Sequence, residues 1–159
     1  MPENLADYEV VPESIHDGDR LPVRSPKGEV LKVRFACIDA PELKQPLGEE
    51  SRNHLRSIIN NGNNKVKLQP ITTDRYGRTV AQLWNSRGLV QSQMAIAGMA
   101  YGYEQYKEDC PNWSAIQSTQ AQAQEAKLSS EFGNYPTAVS ARGITTNLIV
   151  SLGYKIVAS

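Results

Sequence analysis

The stretch "VRFACIDAPE", residues 33–42, begins as a strand and ends as something else. Val33, Phe35 and Cys37 alternate with Arg34 and Ala36 at the period of two that marks a half-buried strand. After Ile38 the pattern gives way to Asp39, Ala40, Pro41 and Glu42, two carboxylates three residues apart with a proline between them. A strand that carries an arginine on its second face and runs out into paired acids is either a solvated exit or one wall of a site. The flanking sequence has to decide.

Upstream, "YEVVP" (8–12) reads as a strand and runs into "HDGD" (16–19), where Asp17-Gly18 is a hairpin-type turn. A second strand near 20–25 reaches the turn "SPKGE", so the opening stretch is the third strand. Downstream, "GEESRNHLRSIINNG" sets Leu55, Ile58 and Ile59 at helical spacing and stops at Gly62, a C-cap signal. A fourth strand, "KVKLQP", the turn "DRYGR" and a fifth strand, "TVAQLW", follow. Two more helices are predicted over 88–100 and 112–128, the second with Asn112 as N-cap. Five short strands with a helix between the third and fourth give an α+β, mainly β, architecture: a five-stranded OB-fold β-barrel with three α-helices.

The chain has 159 residues, 40% hydrophobic and 21% charged, which suits one globular domain and excludes disordered and fibrous classes. No run approaches the roughly 20 apolar residues of a membrane span, and the N-terminal sequence lacks the basic start and apolar stretch of a signal peptide. Cys37 and Cys110 lie in no metal-ligand spacing; Cys37, at an apolar strand position, reads as an inert buried thiol, with a disulfide to Cys110 as the alternative. The 17 Lys and Arg balance 17 Asp and Glu, which argues against coating nucleic acid by bulk charge. The cations nevertheless gather in residues 20–34 and 65–78, so an anionic ligand is expected at the N-terminal half.

Four stretches, "DGD" (17–19), "RFACIDAPE" (34–42), "DRYGR" (74–78) and "AIAGMAYGY" (95–103), together resemble the staphylococcal (micrococcal) nuclease, or thermonuclease, family in order and separation. The resemblance covers about residues 8–128 and implies a nuclease-like domain over 8–132, followed by an unrecognised tail, 133–159. It implies a calcium-dependent, sugar-nonspecific nuclease that cleaves DNA and RNA to 3′-phosphate products. It maps the Ca2+ ligands onto Asp19, Asp39 and the Ala40 carbonyl, the general base onto Glu42, and the two catalytic arginines onto Arg34 and Arg78. Arg75 and Tyr76 match positions that contact the terminal phosphate, while Tyr103 and Tyr106 are candidates for the far side of the pocket. Single strands would be preferred, the protein would act as a monomer away from membranes, and family members are secreted or periplasmic as mature forms.

Elementary chemistry agrees with that assignment. A phosphodiester repels hydroxide and gains negative charge in its transition state, so cleavage calls for fixed cations and a metal ion around phosphorus. Oxygen donors suit a hard cation, and planar guanidiniums contact phosphate oxygens bidentately. Singly, each motif has a plainer reading: a turn at Asp17–Asp19, a helix cap at Glu42, a hairpin tip at Tyr76–Arg78, a solvated charge at Arg34. A non-catalytic OB-fold module that binds nucleic acid or protein is the competing function. The sequence departs from the family at Arg20, where a small polar residue usually follows the DGD, and at Pro22, which falls inside the second strand and bears on the placing of Asp19.

Overall fold

The computed structural model describes residues 1–132, with side-chain burial through residue 127, so the segment expected as a separate tail at 133–159 lies outside the described residues. Strands β1 (Ala6–Glu9), β2 (Arg20–Arg24), β3 (Val30–Phe35), β5 (Lys65–Thr73) and β6 (Thr79–Asn85) form one sheet, in the order β3-β2-β1-β5-β6. A parallel pairing of β3 with β6, through Val33–Thr79, Arg34–Val80 and Phe35–Ala81, closes it into a five-stranded mixed barrel. This is the OB-like α+β fold expected from the strand order. Helix α1 (Gly48–Asn61) lies between β3 and β5, and α2 (Val90–Ile96) and α3 (Trp113–Phe132) follow the barrel. Among the described residues no helix is long and apolar enough to cross a membrane.

Alternation fills the core as the sequence reading requires. Leu21 and Val23 of β2 and Val33 and Phe35 of β3 are buried, as are Leu55, Ile58 and Ile59 on one stripe of α1. Gly62 ends α1 with φ −94°, and the left-handed turn falls instead on Asn63 and Asn64. Pro22 pairs opposite Lys32 in β3. The other side of β2 meets β1 at the single pair Glu9–Arg24, so the missing N–H of Pro22 interrupts no second ladder and Asp19 keeps its place at the strand mouth.

Three local expectations are corrected. The β3 ladder stops at Phe35, because Cys37 takes a left-handed φ of 73° and the chain resumes as a two-residue strand, β4 (Ile38–Asp39), paired with β8 (Tyr101–Gly102). The helix expected over 88–100 is seven residues long: Gly88–Leu89 is a short strand, β7, paired back to β6, and Gly98, at φ 70°, turns the chain beyond Ile96. Asn112 accepts the first α3 amides with its backbone carbonyl, while its side-chain Oδ1 accepts from Gln82 Nε2 at 2.8 Å.

Candidate active site

Arg34 occupies the centre of the site. Its position on β3 is fixed by Val33 and Phe35, which face the core on either side of it, and by the cross-strand partner Arg20. One guanidinium nitrogen donates to the carbonyls of Phe35 and Ile38, both at 3.0 Å, and so binds the inside of the bend at Cys37. The same nitrogen lies 3.2 Å from Asp19 Oδ2, and the other lies 3.2 Å from Asp39 Oδ1. One side chain from mid-strand thus joins the two turns that the sequence pairs.

Asp19 is held in place from two sides. The Ala40 amide donates to its Oδ2 at 2.8 Å, and Gly18 before it packs against α1 so tightly that a Cβ there would fall 1.9 Å from Ser51 Oγ. Burial pushes the Asp19 carboxyl up to about 8; Arg34 pulls it down and the neighbouring Asp17 pushes it further up. Asp17 is buried too, yet its hydrogen bonds and ion pair with Arg20 outweigh burial and hold it below the usual carboxylate range. Asp39 is half-buried, and its second oxygen accepts from the Tyr101 hydroxyl at 2.7 Å.

Glu42 does not cap α1, which begins six residues later at Gly48. It opens a tight turn in which its amide donates to Gln45 Oε1 and its carbonyl accepts from the Gln45 amide, both at 2.8 Å. Its carboxylate reaches out to Arg20, 3.1 Å away.

On the other side of Arg34 opens a cleft of about 610 Å³, lined by Arg34, Arg75, Tyr76, Arg78, Tyr103 and Tyr106 among others. Arg78 is fixed by Asp74, which takes its Nε at 2.7 Å and also accepts the amides of Tyr76 and Arg78. Gly77 at φ 77° allows this tight hairpin tip. The guanidiniums of Arg75 and Arg78 lie 4.8 and 5.4 Å from the Tyr76 ring centre, and that ring is exposed. Across the cleft Tyr103 and Tyr106 meet edge to face with centres 5.1 Å apart. The structure therefore brings the ten expected residues into two groups that share Arg34: Asp19, Asp39, Ala40 and Glu42 on one side, and Arg75, Tyr76, Arg78, Tyr103 and Tyr106 on the other.

A profile of the staphylococcal nuclease homologue family matches residues 32–129. The chain belongs to that family. Relatives of this staphylococcal nuclease homologue include an uncharacterized endonuclease of Haemophilus influenzae, 36% identical over 107 residues that cover 67% of this chain and 59% of that protein. An uncharacterized endonuclease of Escherichia coli O157:H7 is 34% identical over 94 residues, covering 58% of this chain and 60% of that protein. A staphylococcal-like nuclease of Arabidopsis thaliana is 35% identical over 76 residues, 48% of this chain and 23% of that protein. The matched part thus spans less than two thirds of each relative's own length.

The homologue's donor set suits a hard divalent cation. Four carboxylates, Asp17, Asp19, Asp39 and Glu42, stand around two guanidiniums, Arg20 and Arg34, so the cluster retains excess negative charge. All the donors are oxygens, as calcium prefers. Among the described residues no three His, Cys, Asp or Glu side chains form a metal cage, so the fit rests on two carboxylates and the Ala40 carbonyl, with water completing the shell.

Sequence reasoning missed two supports and left a third open. Tyr101, within the "AIAGMAYGY" stretch but given no role there, bonds Asp39 from 62 residues away. Gln91 is fully buried on α2 and ties the Ala36 and Ala81 carbonyls where β3 leaves the barrel; a polar residue on an apolar helix face was its signal. Cys37 takes the second of its two expected readings, the disulfide to Cys110, rather than the free buried thiol. That bond, with the Tyr103 amide donating to the Cys37 carbonyl at 2.8 Å, fastens the tyrosine loop to the strand exit.

Proposed function

We propose that this domain is a calcium-dependent nuclease that hydrolyses phosphodiester bonds of DNA and RNA to 3′-phosphate products. The observation that carries the reading is Arg34, which lines the cleft while bridging the carboxylates of Asp19 and Asp39. The phosphate diester lies in the cleft, its charge met by Arg34 and Arg78, which keep their protons as charge builds on the phosphoryl oxygens. Asp19, Asp39 and the Ala40 carbonyl would hold Ca2+, which when bound neutralises phosphate charge and orders water. Glu42 orients the attacking water and takes its proton, and the leaving 5′ oxygen departs opposite the attack.

Arg75 and Tyr76 contact the neighbouring phosphate, and Tyr103 and Tyr106 offer base-stacking faces. Stacking contributes about 1–3 kcal/mol per base without reading sequence, which favours single strands and frayed ends. The Cys37–Cys110 bond supports residence in an oxidising compartment, periplasmic or extracellular, since such bonds are seldom kept in reducing cytosol. The protein is expected to act as a monomer, because one chain supplies every residue invoked.

The test is incubation of the purified protein with single-stranded DNA and with RNA in calcium, in magnesium and in EGTA, alongside Glu42→Gln. Cleavage is expected in calcium alone, reduced by at least 100-fold in the variant. Cleavage that persists in EGTA or in the variant would overturn the mechanism, and binding without cleavage in any metal would favour the non-catalytic module.

A further inference from the structure

Arg20 stands directly across from Arg34 in the β2–β3 ladder, on the outward face of the hairpin. Its Nε donates to Asp17 Oδ2 at 2.6 Å and a terminal nitrogen pairs with the same oxygen, while that terminal nitrogen also lies 3.1 Å from Glu42 Oε2. The two ends of this bridge differ in kind. Asp17 is 1% exposed and its other oxygen accepts the Asp19 amide at 3.3 Å, so it is a rigid anchor within the metal-ligand turn. The Glu42 side chain is 64% exposed, and among the described residues its carboxylate has Arg20 as its ion-pair partner.

An exposed ion pair between two mobile side chains stabilises little, because both lose rotamer freedom to form it. Here the guanidinium is already fixed on a buried carboxylate, so the remaining ordering falls on Glu42. The arrangement is therefore better suited to placing a carboxylate than to stabilising a fold. Arg34 holds Asp19 and Asp39 while Arg20 holds Asp17 and Glu42, which ties both acidic turns to one pair of cross-strand arginines.

We propose that Arg20 is a positioning residue that holds the Glu42 carboxylate beside the Asp17–Asp19 turn, ready for the water it orients. The proposal rests on the nuclease reading for Glu42's role, though the placement itself does not depend on activity. A small hydroxyl side chain at residue 20 could not span from Asp17 to Glu42, so this chain fixes its base by a contact that its own sequence supplies. Small displacements of a reacting group cost up to about 100-fold in rate, and a loosened Glu42 should cost a part of that.

The experiment is a double-mutant cycle on cleavage of a short single-stranded oligonucleotide in calcium, with Arg20→Met, Glu42→Gln and the pair. Arg20→Met is expected to lower kcat about tenfold with KM changed less than twofold, Arg20→Lys to recover part of the loss, and Arg20→Met to cost nothing further in the Glu42→Gln background. An equal loss in both backgrounds, or no loss in the wild-type background, would overturn the proposal. Because Arg20→Met leaves Asp17 buried and unpaired, Asp17→Asn/Arg20→Met repeats the cycle without the buried charge if the single variant does not fold. NMR of the Glu42 side chain supplies a readout free of activity: one dominant rotamer in the wild type that becomes averaged in Arg20→Met supports the placement, and a rotamer distribution insensitive to that variant overturns it. An inactive wild type with the NMR signature intact would sink the nuclease reading alone.

Discussion

Asp19 shows how a residue's environment sets the charge it carries. Its carboxyl titrates near 8 in the folded protein and near 3.8 when unfolded, so between those values the folded state binds the extra proton. The stabilisation is complete below about pH 4 and is lost as pH rises through about 8, with a size on the order of a few kcal/mol after allowance for coupling to Asp17. In EGTA the urea midpoint should therefore fall between pH 5 and pH 8, and Asp19→Asn should flatten that slope. Parallel pH profiles for the two proteins would show that the buried charge is compensated by some other group. That Asp19, Asp39, Glu42 and Arg34 come together was legible because each lies in a short local motif that resembles the family's, in the same order along the chain. Tyr101 was not, since its hydrogen bond to Asp39 spans 62 residues and no local pattern records it.

At the scale of elements, the exit of β3 determines how the site is assembled. The strand reading was right through Phe35 and failed at Cys37, where a left-handed residue turns the chain and Ala36 becomes buried alongside its neighbours. A period of two cannot reveal such a turn at a non-glycine residue. The turn is held by Arg34, Gln91 and the bond to Cys110, which also carries the loop of Tyr103 and Tyr106. Replacing both cysteines by alanine opens a link across 73 residues, and by chain entropy should cost about 4 kcal/mol at most. The expected outcome is a lower Tm together with a KM raised several-fold and a kcat changed much less, because the loop lines the cleft while Arg34 and Glu42 keep their other contacts. A fall in kcat with KM unchanged would mean that the link holds the carboxylate cluster instead. The shortened α2 follows from similar local physics: Gly88 at φ 112° lets Leu89 pair with Trp84 before the helix starts, and apolar spacing alone does not separate that short strand from a first helical turn.

For the whole molecule, the strand order and with it an OB-fold barrel were readable from turn signals, whereas the pair of strands that closes the barrel was not spelt out: β3 and β6 pair in parallel across β4, α1 and β5, a contact between distant segments. That closure brings the hairpin tip bearing Arg75 and Arg78 to the same cleft as Arg34, and so concentrates cations on a chain whose charges cancel overall. Nucleic-acid binding should then depend on a few fixed contacts rather than on a diffuse positive field. If the three cleft arginines meet phosphates as proposed, the slope of log affinity against log salt for a short single strand should be about −2, at about 0.7 per neutralised phosphate. Arg75→Ala should bring it to about −1.4 by the same scale while leaving the Asp74–Arg78 contact intact. The measurement is a salt titration of oligonucleotide affinity in EGTA, where the proposed hydrolysis is suppressed. A slope that Arg75→Ala does not change would place the strand across the exposed cations of the β2–β3 hairpin, Arg24, Lys27 and Lys32, rather than in the cleft.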